Sequence, residues 1–161
     1  MRRSLCVAGV FLALACTAAS AAEYRMYLKL PGADGPVTVG GERGWIELTS
    51  VRVGPVDDAT GRVSSPVISV SPGEYRGPDL ASVRLPDGMG IEVSKEVDAI
   101  SPKLSGFYEN RRRLPSAKLC FVTTPGEVTD SRYLFKDAII TAHVTSGDRE
   151  RMTITYTTVQ R

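Results

Sequence analysis

The chain has 161 residues, a one-domain length, and carries 20 basic and 18 acidic side chains with a single histidine. So even a balance gives no reason to expect a partner made of nucleic acid or an anionic membrane, because a phosphate-tracking surface needs a clear basic excess.

Residues 1–21 read as an export signal rather than as part of the fold. Arg2 and Arg3 form a positive start and Leu5 to Ala15 an apolar run. Ala19-Ser20-Ala21 then supplies the small residues of a cleavage site, with Ala19 and Ala21 as the two that signal peptidase inspects. The apolar run falls short of the ~20 residues of a bilayer crossing, and no later stretch approaches that length. A lipid-attachment reading at Cys16 is weaker, because Ala13-Leu14-Ala15 lacks the bulky aliphatic residue three places before the cysteine. Residues 22–161 are then one domain, working in the periplasm or outside the cell, with 18 basic against 18 acidic side chains. Cys120 alone remains of the cysteines, so no internal disulfide is expected. It falls in a strand and reads as a buried, inert thiol.

The elements follow in chain order. Tyr24 to Leu30 alternates as a half-buried strand, with Tyr24, Met26, Leu28 and Leu30 on one face. Pro31 to Pro36 turns. Trp45 to Val53 is a second strand whose pattern changes phase: Ile46 and Leu48 share one face, Val51 and Val53 the other. A bulge near Thr49 or Ser50, or burial on both faces, explains that. Residues 54–88 are rich in proline and glycine and read as a protruding hairpin or extended binding loop, with short strands at Val67 to Val70 and Leu80 to Leu85. Met89 to Val97 alternates again. A short helix follows, capped by Ser101, with Pro102 in its first turn and Leu104, Phe107 and Tyr108 on its apolar face. Arg111, Arg112 and Arg113 close it and read as an exposed helix end. The last strands are Ala117 to Thr123, a turn at Thr124 to Glu127, a long strand Tyr133 to Thr145 with Leu134, Ala138, Ile140, Ala142 and Val144 on one face, and a Thr- and Tyr-rich strand around Met152, Ile154 and Tyr156. The expected fold is mainly β: a small antiparallel β-barrel or two-sheet sandwich of about six strands, flanked by one short α-helix.

No chemistry stands out. His143 lies in a strand with no nucleophile or acid motif to complete a triad, and one histidine does not make a metal site. Gly40-Gly41-Glu42-Arg43-Gly44 precedes a strand rather than a helix and reads as a turn, not a phosphate cradle. Asp57-Asp58 is most simply a solvated loop tip. Catalytic, cofactor and metal residues are therefore not assigned.

Four passages resemble a known family. They are Tyr24-Arg25-Met26-Tyr27-Leu28-Lys29-Leu30 with its following turn, Gly44-Trp45-Ile46-Glu47-Leu48, the run from Val93-Ser94-Lys95-Glu96-Val97-Asp98 into Ser101-Pro102-Lys103-Leu104, and Tyr133 to Ile140 with Lys136-Asp137-Ala138, followed by Gly147-Asp148-Arg149. In order and spacing they are similar to the haemolysin-coregulated protein family, the tube subunits of type VI secretion systems. The resemblance implies a β-barrel flanked by a helix and assembled as a homohexameric ring. Such rings stack into a tube that carries effectors and meets the secretion apparatus. It also implies that a hairpin reaches a neighbouring subunit. Residues 54–88 stand in its place, with Pro55, Asp57, Asp58, Pro66, Pro72 and Tyr75 as candidate interface positions. The export signal departs from the family pattern, whose tubes polymerise in the cytoplasm. A relative that forms rings in the periplasm or outside the cell, a barrel that has lost the ring, and a true start at Met26 each account for it. The rival reading, from another class, is a monomeric extracytoplasmic barrel that binds a protein or small ligand.

Overall fold

A computed structural model describes residues 23–73, 75, 80–124 and 131–161. The expected export signal, with Ala19 and Ala21, lies outside these residues, as does most of the turn expected at Thr124 to Glu127.

The strands are β1 (Glu23–Lys29), β2 (Gly35–Val39), β3 (Glu42–Gly44), β4 (Ile46–Leu48), β5 (Ser50–Gly54), β6 (Val56–Asp57), β7 (Arg62–Val63), β8 (Ile68–Val70), β9 (Gly90–Glu96), β10 (Arg113–Thr124), β11 (Ser131–Ser146), β12 (Arg149–Thr155) and β13 (Thr158–Gln160). The helix α1 (Ser101–Glu109) joins β9 to β10. One antiparallel sheet runs β4-β1-β10-β11-β12-β9-β5-β8, with β13 added on β11. The sheet curls into a barrel because β4, at one end, and β5, near the other, are consecutive in the chain. Only Thr49 separates them, and its N–H donates to Ser94 O at 2.8 Å. This corner is the irregularity expected at Thr49. It turns Ile46, Leu48, Val51 and Val53 all into the core, where each is buried.

The interior is filled by alternating side chains: Met26 and Leu28 of β1, Ile91 and Val93 of β9, Leu119 and Phe121 of β10, and Met152 and Ile154 of β12. Leu104 and Phe107 of α1 join them, each worth ~1.5–3 kcal/mol when fully buried. Tyr108, expected on that face, is more than a third exposed. Tyr27, Trp45 and Cys120 form a second cluster on the outer face, closed by the β2–β3 hairpin through Val37 and Val39. Cys120 is fully buried, as expected.

Two expectations need correction. The first concerns β11, whose inward face changes twice. Pro115 of β10 and Asp137 of β11 are skipped in the ladder between Leu114↔Ala138 and Ser116↔Lys136, and Asp137 adopts φ 53°. The register with β12 then shifts between Ile140 and Ala142. Tyr133, Phe135, Ala138 and Ile140 are therefore buried, whereas Leu134 and Ala142 are half-buried and Val144 is 49% exposed.

The second concerns the described part of residues 54–88 (54–73, 75 and 80–88), which packs on the barrel instead of protruding as a free loop. Strand β8 pairs back on β5 and the β6–β7 hairpin lies across the outer face of β9 and β12. Leu80–Ser82 is a 3-10 turn instead of a strand. Its Leu80 carbonyl, and that of Val83, accept the Tyr133 hydroxyl at 3.0 Å, so a side chain takes the place of a ladder.

Candidate functional site

The sequence pattern places a lysine, Lys95, at the inward position that follows Ile91 and Val93 on β9. Burying an ammonium demands partners for all three of its hydrogens. Glu150, opposite Lys95 in the β9–β12 register, supplies the first at 2.6 Å; Asp98 supplies the second at 2.8 Å and Glu96 O the third at 2.6 Å. Lys95 and Glu150 are 1% and 0% exposed. Ser101 donates its hydroxyl to the same Glu150 oxygen at 2.6 Å, and His143 Nε2 approaches the other at 2.9 Å. A carboxylate only accepts, so Nε2 carries the hydrogen there. Burial pushes the Glu150 carboxyl up, but the hydrogen bonds from Lys95, Ser101 and His143 outweigh it and hold the group below its ordinary value. Asp98 behaves alike: burial raises it, and Lys95 and the Ile100 N–H bring it lower.

The cluster fixes the start of α1. The expected cap at Ser101 is not formed. Ile100 is the N-cap residue without a side-chain bond, and Ser101 is already helical. Its oxygen instead accepts from Asp98 N–H at 2.9 Å, while Asp98 accepts from Ile100 N–H at 3.0 Å. The serine therefore ties the helix to the barrel through Glu150. Of the Ser101-Pro102-Lys103-Leu104 run, Ser101 and Leu104 are buried and Pro102 and Lys103 are exposed. At the other end, Arg111 leaves the helix with φ 47°, Arg113 opens β10 and the Arg112 guanidinium sits 4.6 Å from the Phe107 ring centroid.

Serine, histidine and glutamate meet here, but in the wrong order for a triad. The carboxylate stands in the middle, with the hydroxyl on one oxygen and the imidazole on the other. An activating base must touch the nucleophile, and His143 contacts Glu150 instead. No group of three or more His, Cys, Asp or Glu among the described residues could hold a metal ion.

A second buried carboxylate anchors the β6–β7 hairpin. Glu92, 4% exposed, accepts the Val63 N–H at 3.0 Å and the Arg62 and Arg52 guanidiniums at 3.3 and 3.4 Å. Thr153 donates to Gly61 O at 2.7 Å from the neighbouring strand. Burial raises the Glu92 carboxyl, and Arg62, the Val63 N–H and Arg52 together hold it below its ordinary value. Gly90 is required beneath the hairpin, because a Cβ there would strike Val56.

Among the candidate interface positions, Pro55, Asp57, Asp58 and Pro72 are exposed and Pro66 is half-buried. Tyr75 is buried in this chain's own core, edge-on to Tyr24 at 5.4 Å, which takes it off any outer surface. Sequence reasoning missed Glu92 and Glu150, and named Asp98 only as part of the run that carries the family resemblance. The inward position of Lys95 was the one available signal that a buried carboxylate stands nearby.

The architecture is that of solved Hcp proteins. Hcp1 from Salmonella typhimurium matches over 85% of this chain and 83% of that chain at 20% identity, TM-score 0.59. Hcp2 from the same organism matches over 84% of each chain at 20% identity, TM-score 0.54. A type VI secretion system effector from Yersinia pestis matches over 83% of this chain and 84% of that one at 14% identity, TM-score 0.52. A comparison with curated protein sequences returned no match. The family model described as type VI secretion system effector, Hcp, matches residues 27–161, and the chain belongs to that family.

Proposed function

We propose that this chain is an exported, non-enzymatic Hcp-like structural protein that forms a homohexameric, effector-carrying ring, either as a type VI secretion tube subunit or as a divergent relative that assembles in the periplasm or outside the cell. The family match over residues 27–161, which takes in the whole described barrel from β1 onward apart from its first residues, carries this reading. The buried Lys95–Glu150 cluster supports it, because its bonds are spent on fixing α1 rather than on presenting a reactive group. Residues 1–21 act as an export leader that sends residues 22–161 to the periplasm or beyond. Pro55, Asp57, Asp58, Pro66 and Pro72 contribute to the contact between subunits.

One observation favours the rival reading of a monomeric extracytoplasmic binding module. Glu92 and Thr153 hold the β6–β7 hairpin on its own barrel, which withdraws it from a neighbour. Light scattering on residues 22–161, over a range of concentration and salt, separates the two. A species about six times the monomer mass is expected for the ring. A monomer at every concentration overturns the ring and leaves the binding module.

A further inference from the structure

Arg149 and Arg151 of β12 point away from the core, since Glu150, Met152 and Ile154 occupy the inward positions. Among the described residues neither arginine side chain has an ion-pair or hydrogen-bond partner. The two carboxylates nearest in the ladder do not serve them. Glu150 is spent inside on Lys95, and Glu96, opposite Arg149, forms no ion pair with it. Across the strands Arg151 is flanked by Ser94 on one side and Val144 on the other, and Ser50 lies beyond Ser94. These residues line an open groove of about 490 Å³ on the outer face. Val144, 49% exposed, gives the groove an apolar spot beside its positive charge.

We propose that this groove is a docking surface for an acidic, extended polypeptide segment. Charge complementarity selects the occupant: two guanidiniums without carboxylates, flanked by serine hydroxyls, match carboxylate oxygens. Spacing narrows it. Two residues along a strand separate the arginines by about 7 Å, the separation of side chains at i and i+2 of another extended chain. The segment therefore carries Asp or Glu at alternate positions. Val144 meets an apolar side chain beside them. Such a contact is salt-sensitive, because Arg149 is exposed.

The test is fluorescence anisotropy of a labelled peptide, acetyl-Gly-Glu-Ser-Glu-Ser-Val-Gly-amide, whose two Glu and Val share one face, titrated with residues 22–161. Saturable binding is expected at low salt. It should weaken about tenfold in Arg151→Ala and in Arg149→Ala, and stay unchanged in Arg111→Ala, which removes a cation at the far end of α1. A peptide with Lys in place of Glu should not bind. The proposal is overturned by the absence of saturable binding, by an equal loss in Arg111→Ala, or by full displacement with millimolar inorganic phosphate, which would make the groove an oxyanion site. Arg111 and Arg149 are exposed and Arg151 is half-buried, and an unchanged far-ultraviolet circular dichroism spectrum serves as the folding control for all three.

Discussion

Lys95 and Glu150 stand opposite each other on neighbouring strands, joined at 2.6 Å and both closed off from solvent. Removing one partner strands the other as a buried charge, which costs about 3–5 kcal/mol. Lys95→Met should therefore lower stability by that amount in urea unfolding, and Glu150→Leu similarly. The double variant should lose less than either alone, because two apolar side chains leave no fully buried charge, and Asp98, the other partner of Lys95, is 42% exposed to water. Equal and additive losses would show that the pair is uncoupled.

Acid should unfold the protein by releasing the same cluster. Glu150, Glu92 and Asp98 all have folded values held below their ordinary ones of 4.5, 4.5 and 3.8. A depressed folded value means that the unfolded chain takes up protons first as pH falls. The stabilisation is thus complete above about pH 5 and lost progressively below 4.5, through the folded values. Thermal midpoints should be flat from pH 7 to about 5 and fall steeply beneath. Glu150→Gln should flatten part of that fall. An unaltered acid limb in Glu150→Gln and Glu92→Gln would assign the transition to other carboxylates.

Glu92 also predicts where the barrel opens first. Its carboxylate is the acceptor for the Val63 N–H, and its charge holds Arg62. Glu92→Gln keeps the shape and removes the charge. Amide exchange at Gly61 to Ser64 should quicken about tenfold, the worth of one charge-assisted bond. Exchange at Leu119 and Ile154, deep in the sheet, should not change. Uniform acceleration throughout would mean that the hairpin opens only with the whole fold.

The parts of this fold legible in the sequence are those where one periodicity runs unbroken. The alternation in β1 and β9, and the spacing of Leu104 and Phe107, each reflect a single buried face, and a single face is what a pattern can show. The long β11 defeats that reading because paired irregularities at Pro115/Asp137 and near Thr141 reverse its faces, so Ala142 and Val144 read as core and lie outside it. Burial on both faces hides the rest. Glu92 is polar and outward yet buried, because a hairpin from thirty residues earlier lies over it. Glu150 stands 55 residues from Lys95, and nothing local marks it as the carboxylate that an inward lysine needs. The Ser101 motif was visible, but its hydroxyl serves Glu150 rather than a cap, and that role depends on a strand near the chain's end.

The outer cluster gives a final prediction, one that reports on itself. Gly35 opens β2, and a Cβ there would run into the Trp45 carbonyl and the Ile46 side chain. Backbone cannot yield as a flexible side chain can, so Gly35→Ala must push the β2–β3 hairpin off β4. Overpacking of this kind costs about 1–3 kcal/mol. The hairpin is the lid over Trp45, which is fully buried and whose Nε1 has no hydrogen-bond partner. Lifting the lid lets water reach that N–H and removes the penalty of leaving it unpaired, so the hairpin should open locally rather than take the barrel with it. Trp45 is the chain's one tryptophan, and its emission isolates the event. Gly35→Ala should red-shift that emission and raise its quenching by acrylamide while the far-ultraviolet spectrum stays close to the parent's. Gly41→Ala, where a Cβ meets nothing within 4 Å, separates steric from conformational cost: at φ 81° it pays strain in the turn without touching β4. It should lower the melting temperature but leave Trp45 buried. A blue, unquenched Trp45 in Gly35→Ala would show that the hairpin accommodates the methyl group and that Trp45 is held by the barrel alone.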